Sequence, residues 1–233
     1  MSYANPLVPR RIRGTEHLDD RTLDPALALR SLADVRRANR LFGGTSAVLA
    51  ELRPLLCGAP RTLTLLDVGT GAGDIPAAAR QLAASRGITL DTIGLEWTLP
   101  LTRGAAPQCN TALTGDARAL PFASRSIDVV TCSQVLHHFD DTGSIALLVE
   151  LTRVARQRVI VGEIRRSWLA AGGLWLASWP LGFHPVSRHD GVVSVLRGFV
   201  RADLGALVRR ATASDPSVTA RAGFRITASW TPQ

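Results

Sequence analysis

The chain has 233 residues, enough for one domain with extensions and a buried core. With 46% hydrophobic and 20% charged residues it has the composition of a globular protein, which excludes a disordered or fibrous chain. The formal charge is +8 and all 27 basic residues are arginine, scattered or in small clusters such as Arg10–Arg13 and Arg165-Arg166, so the excess reads as a solvated surface and no nucleic-acid partner is expected.

Cys57, Cys109 and Cys132 lie far apart with no CxxC spacing, which indicates neither a zinc site nor a disulfide framework, and no metal is expected. Met1 to Asp20 is polar and basic without an apolar signal-peptide core, and no run of about 18 apolar residues follows, so the expectation is a cytoplasmic protein without stable membrane insertion.

In chain order, residues 1–20 read as a loose arm. Asp24-Pro25 opens a helix, with an N-cap acid before a proline at the first helical position. Leu27, Leu32, Val35 and Ala38 keep helical spacing up to Gly43-Gly44, and a second helix is expected over 46–56. From Thr62 the pattern alternates. Strands are expected at 63–68, 88–95, 111–114, 126–132 and 157–163, with helices at 74–86, 98–104 and 143–155. Alternation of this length predicts an α/β fold, a Rossmann-like, doubly wound, mostly parallel sheet. Residues 1–60 would be an N-terminal arm and helical cap, and 61–233 the main domain.

After Glu163 the character changes. Trp168, Trp175 and Trp179 fall on one helical face, read as the wall of an apolar substrate pocket or as core or dimer packing, which leaves a homodimer open; a membrane-contacting segment is a third reading, disfavoured because the stretch lacks a strongly charged opposite face. A polar loop with His184, Arg188, His189 and Asp190 is expected next, completing a helical insertion over about 165–198. A helix near 199–211 and two terminal strand-like runs, 216–220 and 223–230, predict an antiparallel closing strand at the sheet edge.

The most informative stretch is Leu65-Leu66-Asp67-Val68-Gly69-Thr70-Gly71-Ala72-Gly73-Asp74. A buried strand breaking into alternate glycines before a helix lets a cofactor approach the backbone, since glycine lacks a Cβ and tolerates positive φ. A dinucleotide turn needs G-x-G-x-x-G to cradle a pyrophosphate. Here the spacing is G-x-G-x-G, with Asp67 before it and Asp74 after it, and those acids suit a cationic cofactor without phosphate.

With these features the chain resembles the class I S-adenosylmethionine-dependent methyltransferases over about residues 45–165. The resemblance implies that Asp67, Gly69, Thr70, Gly71 and Gly73 form the cofactor turn. Glu96, closing Thr92-Ile93-Gly94-Leu95-Glu96 beside Trp97, corresponds to the family's ribose-binding carboxylate. Gly115-Asp116-Ala117 matches the turn whose acid accepts from the adenine amino group, and Ser133-Gln134 ends the strand that lines the methionine end.

Ser133-Gln134-Val135-Leu136 lacks the proline pair of DNA amino-methylating enzymes and the Pro-Cys of cytosine-C5 enzymes. Leu32 to Gly44 and Arg188-His189-Asp190-Gly191-Val192-Val193-Ser194-Val195 are similar to bacterial methyltransferases of the quinone-biosynthesis type, acting on quinone-, phenol- or polyketide-like molecules. The expected reaction is O-methylation of such a small molecule, with C-methylation, an RNA or protein substrate and a non-catalytic subunit as alternatives. A hydroxyl acceptor wants a base, and His137, His138, His184 and His189 are the candidates.

Overall fold

The computed structural model describes residues 7–12, 14–20, 22–58 and 61–233; the first six residues of the expected arm, and Arg13 of the first arginine cluster, lie outside them.

Helix α1 (Pro25–Leu41) begins where Asp24 accepts from the Ala26 and Leu27 N–H groups, both at 3.0 Å. Gly43, at φ 75°, turns the chain into α2 (Gly44–Leu52), and a 3-10 turn, Arg53–Leu56, follows where Pro54 cannot continue the helix. Then come β1 (Thr62–Val68), α3 (Asp74–Ala84), β2 (Thr89–Glu96), α4 (Leu99–Ala105), β3 (Thr111–Thr114), β4 (Ile127–Ser133), α5 (Asp141–Val154) and β5 (Ala155–Ile164). The chain closes with α6 (Trp168–Ser178), α7 (Pro185–Arg197), α8 (Arg201–Thr212), β6 (Ser217–Arg221) and β7 (Arg225–Trp230).

The seven strands are ordered β3-β2-β1-β4-β5-β7-β6, with β1 to β5 parallel and β7 antiparallel to both its neighbours. Because β2 and β3 extend one way from β1 and β4 the other, the chain reverses direction between β1 and β4. Loops leaving those two strands splay apart there, and ligands settle in the crevice at that end of such sheets. Alternate side chains along β1 serve opposite faces. Leu66 and Val68 pack with Leu147 and Leu151 of α5 and Val208 of α8, and Leu65 packs with Val48 and Leu52 of α2 and Ala79 and Ala83 of α3.

Three expectations need correction. The segment read as a polar loop is helix α7, for His184-Pro185 is another cap-then-proline start, like Asp24-Pro25. Its inner side packs Val192 and Val195 on Ala170, Ala171 and Leu174 of α6. The tryptophans do share a helical side, but it faces outward: Trp168, Trp175 and Trp179 are 55%, 48% and 54% exposed, and they are not among the residues lining the main cavity. The arm is not loose over 14–20. Asp190 of α7 accepts from the His17 and Leu18 N–H groups at 2.9 and 3.1 Å, which anchors a 3-10 turn at His17–Asp19.

Candidate active site

The turn after β1 is held by backbone geometry. Gly69 and Thr70 donate their N–H groups to the Leu95 carbonyl at 2.9 and 3.2 Å, tying the turn to β2. Gly69 sits at φ 69°, where a Cβ would be strained and would strike Val135 as well. Gly71, at φ 57°, has only Leu32 Cδ2 near its missing Cβ, at 3.8 Å, so its bare backbone borders open space. Gly73 packs inward against Gln108 and does not line the cavity.

Asp67 does not line it either. It lies beneath the turn, opposite Thr131 in the β1–β4 register, and accepts from Thr131 Oγ1 at 2.6 Å and Thr70 Oγ1 at 2.8 Å. Burial pushes its carboxyl up to about 7, with the charges of Asp74 and Glu96 adding and the two threonine bonds opposing. Glu96 ends β2 with Oε1 accepting the Gly71 N–H at 2.6 Å and Oε2 the Trp97 N–H at 3.2 Å. Burial raises this carboxyl too, against those N–H bonds and the charge of His138.

Gly115 donates to the Glu96 carbonyl at 2.8 Å and so brings Asp116 and Ala117 to the same wall, where Asp116 takes a forked contact from Arg118 at 2.8 and 3.1 Å. Gln134 has a left-handed backbone, φ 57°, and donates its N–H to the Gly162 carbonyl at 2.8 Å. Its side-chain amide bridges Asn39 of α1 at 2.5 Å and Arg225 of β7 at 2.7 Å. Thr70, Trp97, Ser133 and Gln134 all line the cavity.

The four histidines part company. His137 and His138 line the cavity in a 3-10 turn after β4, with stacked rings 4.4 Å apart. His137 is buried, its Nδ1 2.7 Å from Glu163 and its Nε2 3.6 Å from Glu16, an ion pair rather than a hydrogen bond. Burial pushes its pKa down, but the Glu163 charge and the two carboxylate contacts win and lift it to about 9. At neutral pH His137 is therefore an imidazolium, unfit as a base. Half-buried His138 binds Asp19 through Nδ1 at 2.5 Å. Burial favours a neutral Asp19, yet the His138 and Arg197 contacts hold it far below the usual carboxylate range.

His184 caps α7 and accepts the Val186 N–H at 3.3 Å, and exposed His189 contacts Asp190 at 3.0 Å and His17 edge-on. Neither lines the cavity, because the helical course of 185–197 directs them elsewhere.

Sequence reasoning missed the partners. Arg197 joins them, donating to the His137 and His138 carbonyls at 3.1 and 3.0 Å, to Glu16 at 3.2 Å and to Asp19 at 2.8 Å. The one available signal was Glu16-His17-Leu18-Asp19-Asp20, three acids in an otherwise basic arm. Glu16, His137 and His138 could bring ligand atoms within 4.8 Å of one another, as could His17, His189 and Asp190. In the first group Arg197 sits between the carboxylates, 3.2 Å from Glu16 and 2.8 Å from Asp19.

All this converges on a cavity of about 810 Å³. Its lining combines Gly71 and the acids Asp74, Glu96 and Asp116 with the apolar side chains of Leu32, Val35, Leu174 and Phe183. Acids around a bare glycine backbone fit a cationic nucleoside cofactor better than a phosphate-bearing one.

Fold and site are similar to those of the class I S-adenosylmethionine-dependent methyltransferases. More particularly, residues 66–161 match the family model described as a methyltransferase domain, so the chain carries that domain. It is similar to the demethylmenaquinone methyltransferases of Roseiflexus castenholzii, 34% identical over 49% of this chain and 45% of that one, and of Roseiflexus sp., 33% identical over 51% and 46%. The chain thus spans about half the length of the curated relatives it matches. Among solved structures it shares its fold with a SAM-dependent methyltransferase from Aquifex aeolicus, with a TM-score of 0.62 and 14% identity over 91% of this chain and all of that one. It also shares it with magnesium protoporphyrin IX methyltransferase from Synechocystis with bound SAH, with a TM-score of 0.57 and 16% identity over 85% and 87%.

Proposed function

We propose that this chain transfers a methyl group from S-adenosylmethionine to a small phenolic or polyketide-like molecule at a hydroxyl oxygen, in the cytoplasm and in secondary metabolism. The observation that carries the reading is the His138–Asp19 pair at 2.5 Å, in the cavity that also contains the glycine turn and Glu96. When bound, S-adenosylmethionine supplies a methyl carbon made electrophilic by its sulfonium. Glu96 accepts from the ribose hydroxyls, Asp116 from the adenine amino group, and Ser133 and Gln134 flank the methionine end. Asp74, which lines the cavity, supplies negative charge near the cationic part.

Asp19 fixes the His138 ring through Nδ1, with Nε2 3.9 Å from Glu16, and the ring in its neutral form takes the proton from a substrate hydroxyl. His137 does different work: locked between Glu163 and Glu16, its positive charge holds the arm closed and can steady a phenolate. We read residues 14–20, 22–41 and 165–198 together as the substrate cover, which excludes water and presents Leu32, Val35, Leu174 and Phe183 to an apolar ring system. The demethylmenaquinone methyltransferase names of the relatives support a small, ring-bearing acceptor.

Turnover of a panel of phenols tests this. His138→Ala should lower kcat by about 10²–10⁴-fold, the usual contribution of a positioned base. Asp19→Asn should give part of that loss, and both losses should shrink on more acidic phenols, whose oxygen needs no base. A loss of the same size on every phenol, or no loss, would refute the assignment of His138.

A further inference from the structure

Helix α6 presents a surface that the chemistry in the cavity does not use. Trp168, Leu169, Trp175, Leu176 and Trp179 are each about half exposed or more, and exposed Leu7 extends the patch by accepting the Trp168 N–H at 3.1 Å. Trp175 and Trp179 hold each other edge-to-face at 5.9 Å. Single exposed apolar side chains are ordinary, but a contiguous group of this size on one helix marks an interaction surface.

Charge says what covers it. Between Glu163 and Asp190 the chain has no carboxylate. At the C-terminal end of α6, Arg30 and Arg37 of α1 reach the Gly182 and Leu181 carbonyls, and Arg188 of α7 lies 3.9 Å over the Trp179 ring. None of these three pairs with a carboxylate among the described residues. A second copy of this chain is a poor partner, because an isologous contact there tends to bring like-charged arginine rims together.

Tryptophan at a bilayer interface and arginine against anionic headgroups suit one another. An 11-residue helix is too short to span a bilayer, which needs about 20 residues, but it can lie in the interface. Such helices ordinarily need a charged opposite face. Here that face is packed on α7, and the cations come from α1 and α7 instead.

We propose that α6 and Trp179 dock this protein on an anionic lipid bilayer, with the tryptophans and leucines in the headgroup–acyl boundary and Arg30, Arg37 and Arg188 against the phosphates. The inner side of the same helix carries Leu174 into the cavity wall, so docking brings a lipid-dissolved substrate close to its site. The docking surface stands apart from the reaction, because none of the five exposed α6 and Trp179 side chains lines the cavity.

Vesicle flotation of the whole chain is the test. The protein should float with phosphatidylcholine vesicles containing about a quarter phosphatidylglycerol, far less with phosphatidylcholine alone, and be released as salt rises from about 0.05 to 0.5 M. Trp175→Ser/Leu176→Ser should bind at least about tenfold more weakly. Arg30→Ala/Arg37→Ala should weaken binding and flatten its salt dependence. Both variants should keep the wild-type cofactor affinity, since they change exposed positions outside the cavity, and Trp175→Ser/Leu176→Ser should keep the melting curve as well. Absence of flotation would overturn the proposal, as would undiminished flotation of Trp175→Ser/Leu176→Ser. So would a dimer in light scattering that this variant splits, which would make the face a contact between copies.

Discussion

The two ends of the cavity are built by opposite strategies. At the glycine end, backbone N–H groups of Gly69, Thr70, Gly71 and Gly115 bond to Leu95 and Glu96, and parallel strand register brings them together. At the histidine end charged side chains remote in sequence make the contacts, with Arg197 reaching Glu16 across 181 positions. Backbone geometry fixes the first end whether or not a ligand is there. The second depends on charge balance among Glu16, Asp19, His137, Glu163 and Arg197, and losing one member leaves the rest uncompensated.

The contrast can be broken most forcefully at Arg197. Arg197→Met removes the guanidinium from two buried or half-buried carboxylates and two carbonyls, and it should cost about 3–5 kcal/mol of stability in a denaturant titration. Residual folded protein should retain its cofactor affinity, because the glycine turn shares no bond with Arg197.

A smaller effect should appear with pH. His137 holds its proton more tightly in the folded chain, about 9 against 6.5. Its contribution to stability is therefore complete below about pH 6.5 and lost as pH rises through about 9. Melting curves across pH 6 to 10 should show that decline in the wild type and a flatter profile in His137→Gln. Equal alkaline decline in both would contradict a protonated His137.

The same contrast explains what could be read from the sequence. The sheet, its closing strand and the glycine turn were legible because glycine spacing, strand-end acids and apolar periodicity are local signals. Gly71 and Glu96, predicted as cofactor contacts, lie 2.6 Å apart at the turn. The arm was misread as loose because its anchor, Asp190, is more than 170 residues away. The tryptophans had the right helical spacing, but periodicity does not tell which side of a helix meets solvent. His184 and His189 were candidates because they fall in the expected substrate-cover segment, but the helix that starts at His184-Pro185 leaves both outside the cavity lining, and the roles of Glu16, Asp19 and Arg197 exist only once the chain is folded.

The central claim is that the glycine end holds S-adenosylmethionine through Glu96. Calorimetric titration of S-adenosylhomocysteine into the wild type and into Glu96→Ala tests it most directly. One-to-one binding to the wild type, weakened by about 1–3 kcal/mol when the charged hydrogen-bonding group is removed, is the predicted result. A wild type that binds no ligand, or a Glu96→Ala variant that binds as tightly as the wild type, would contradict it.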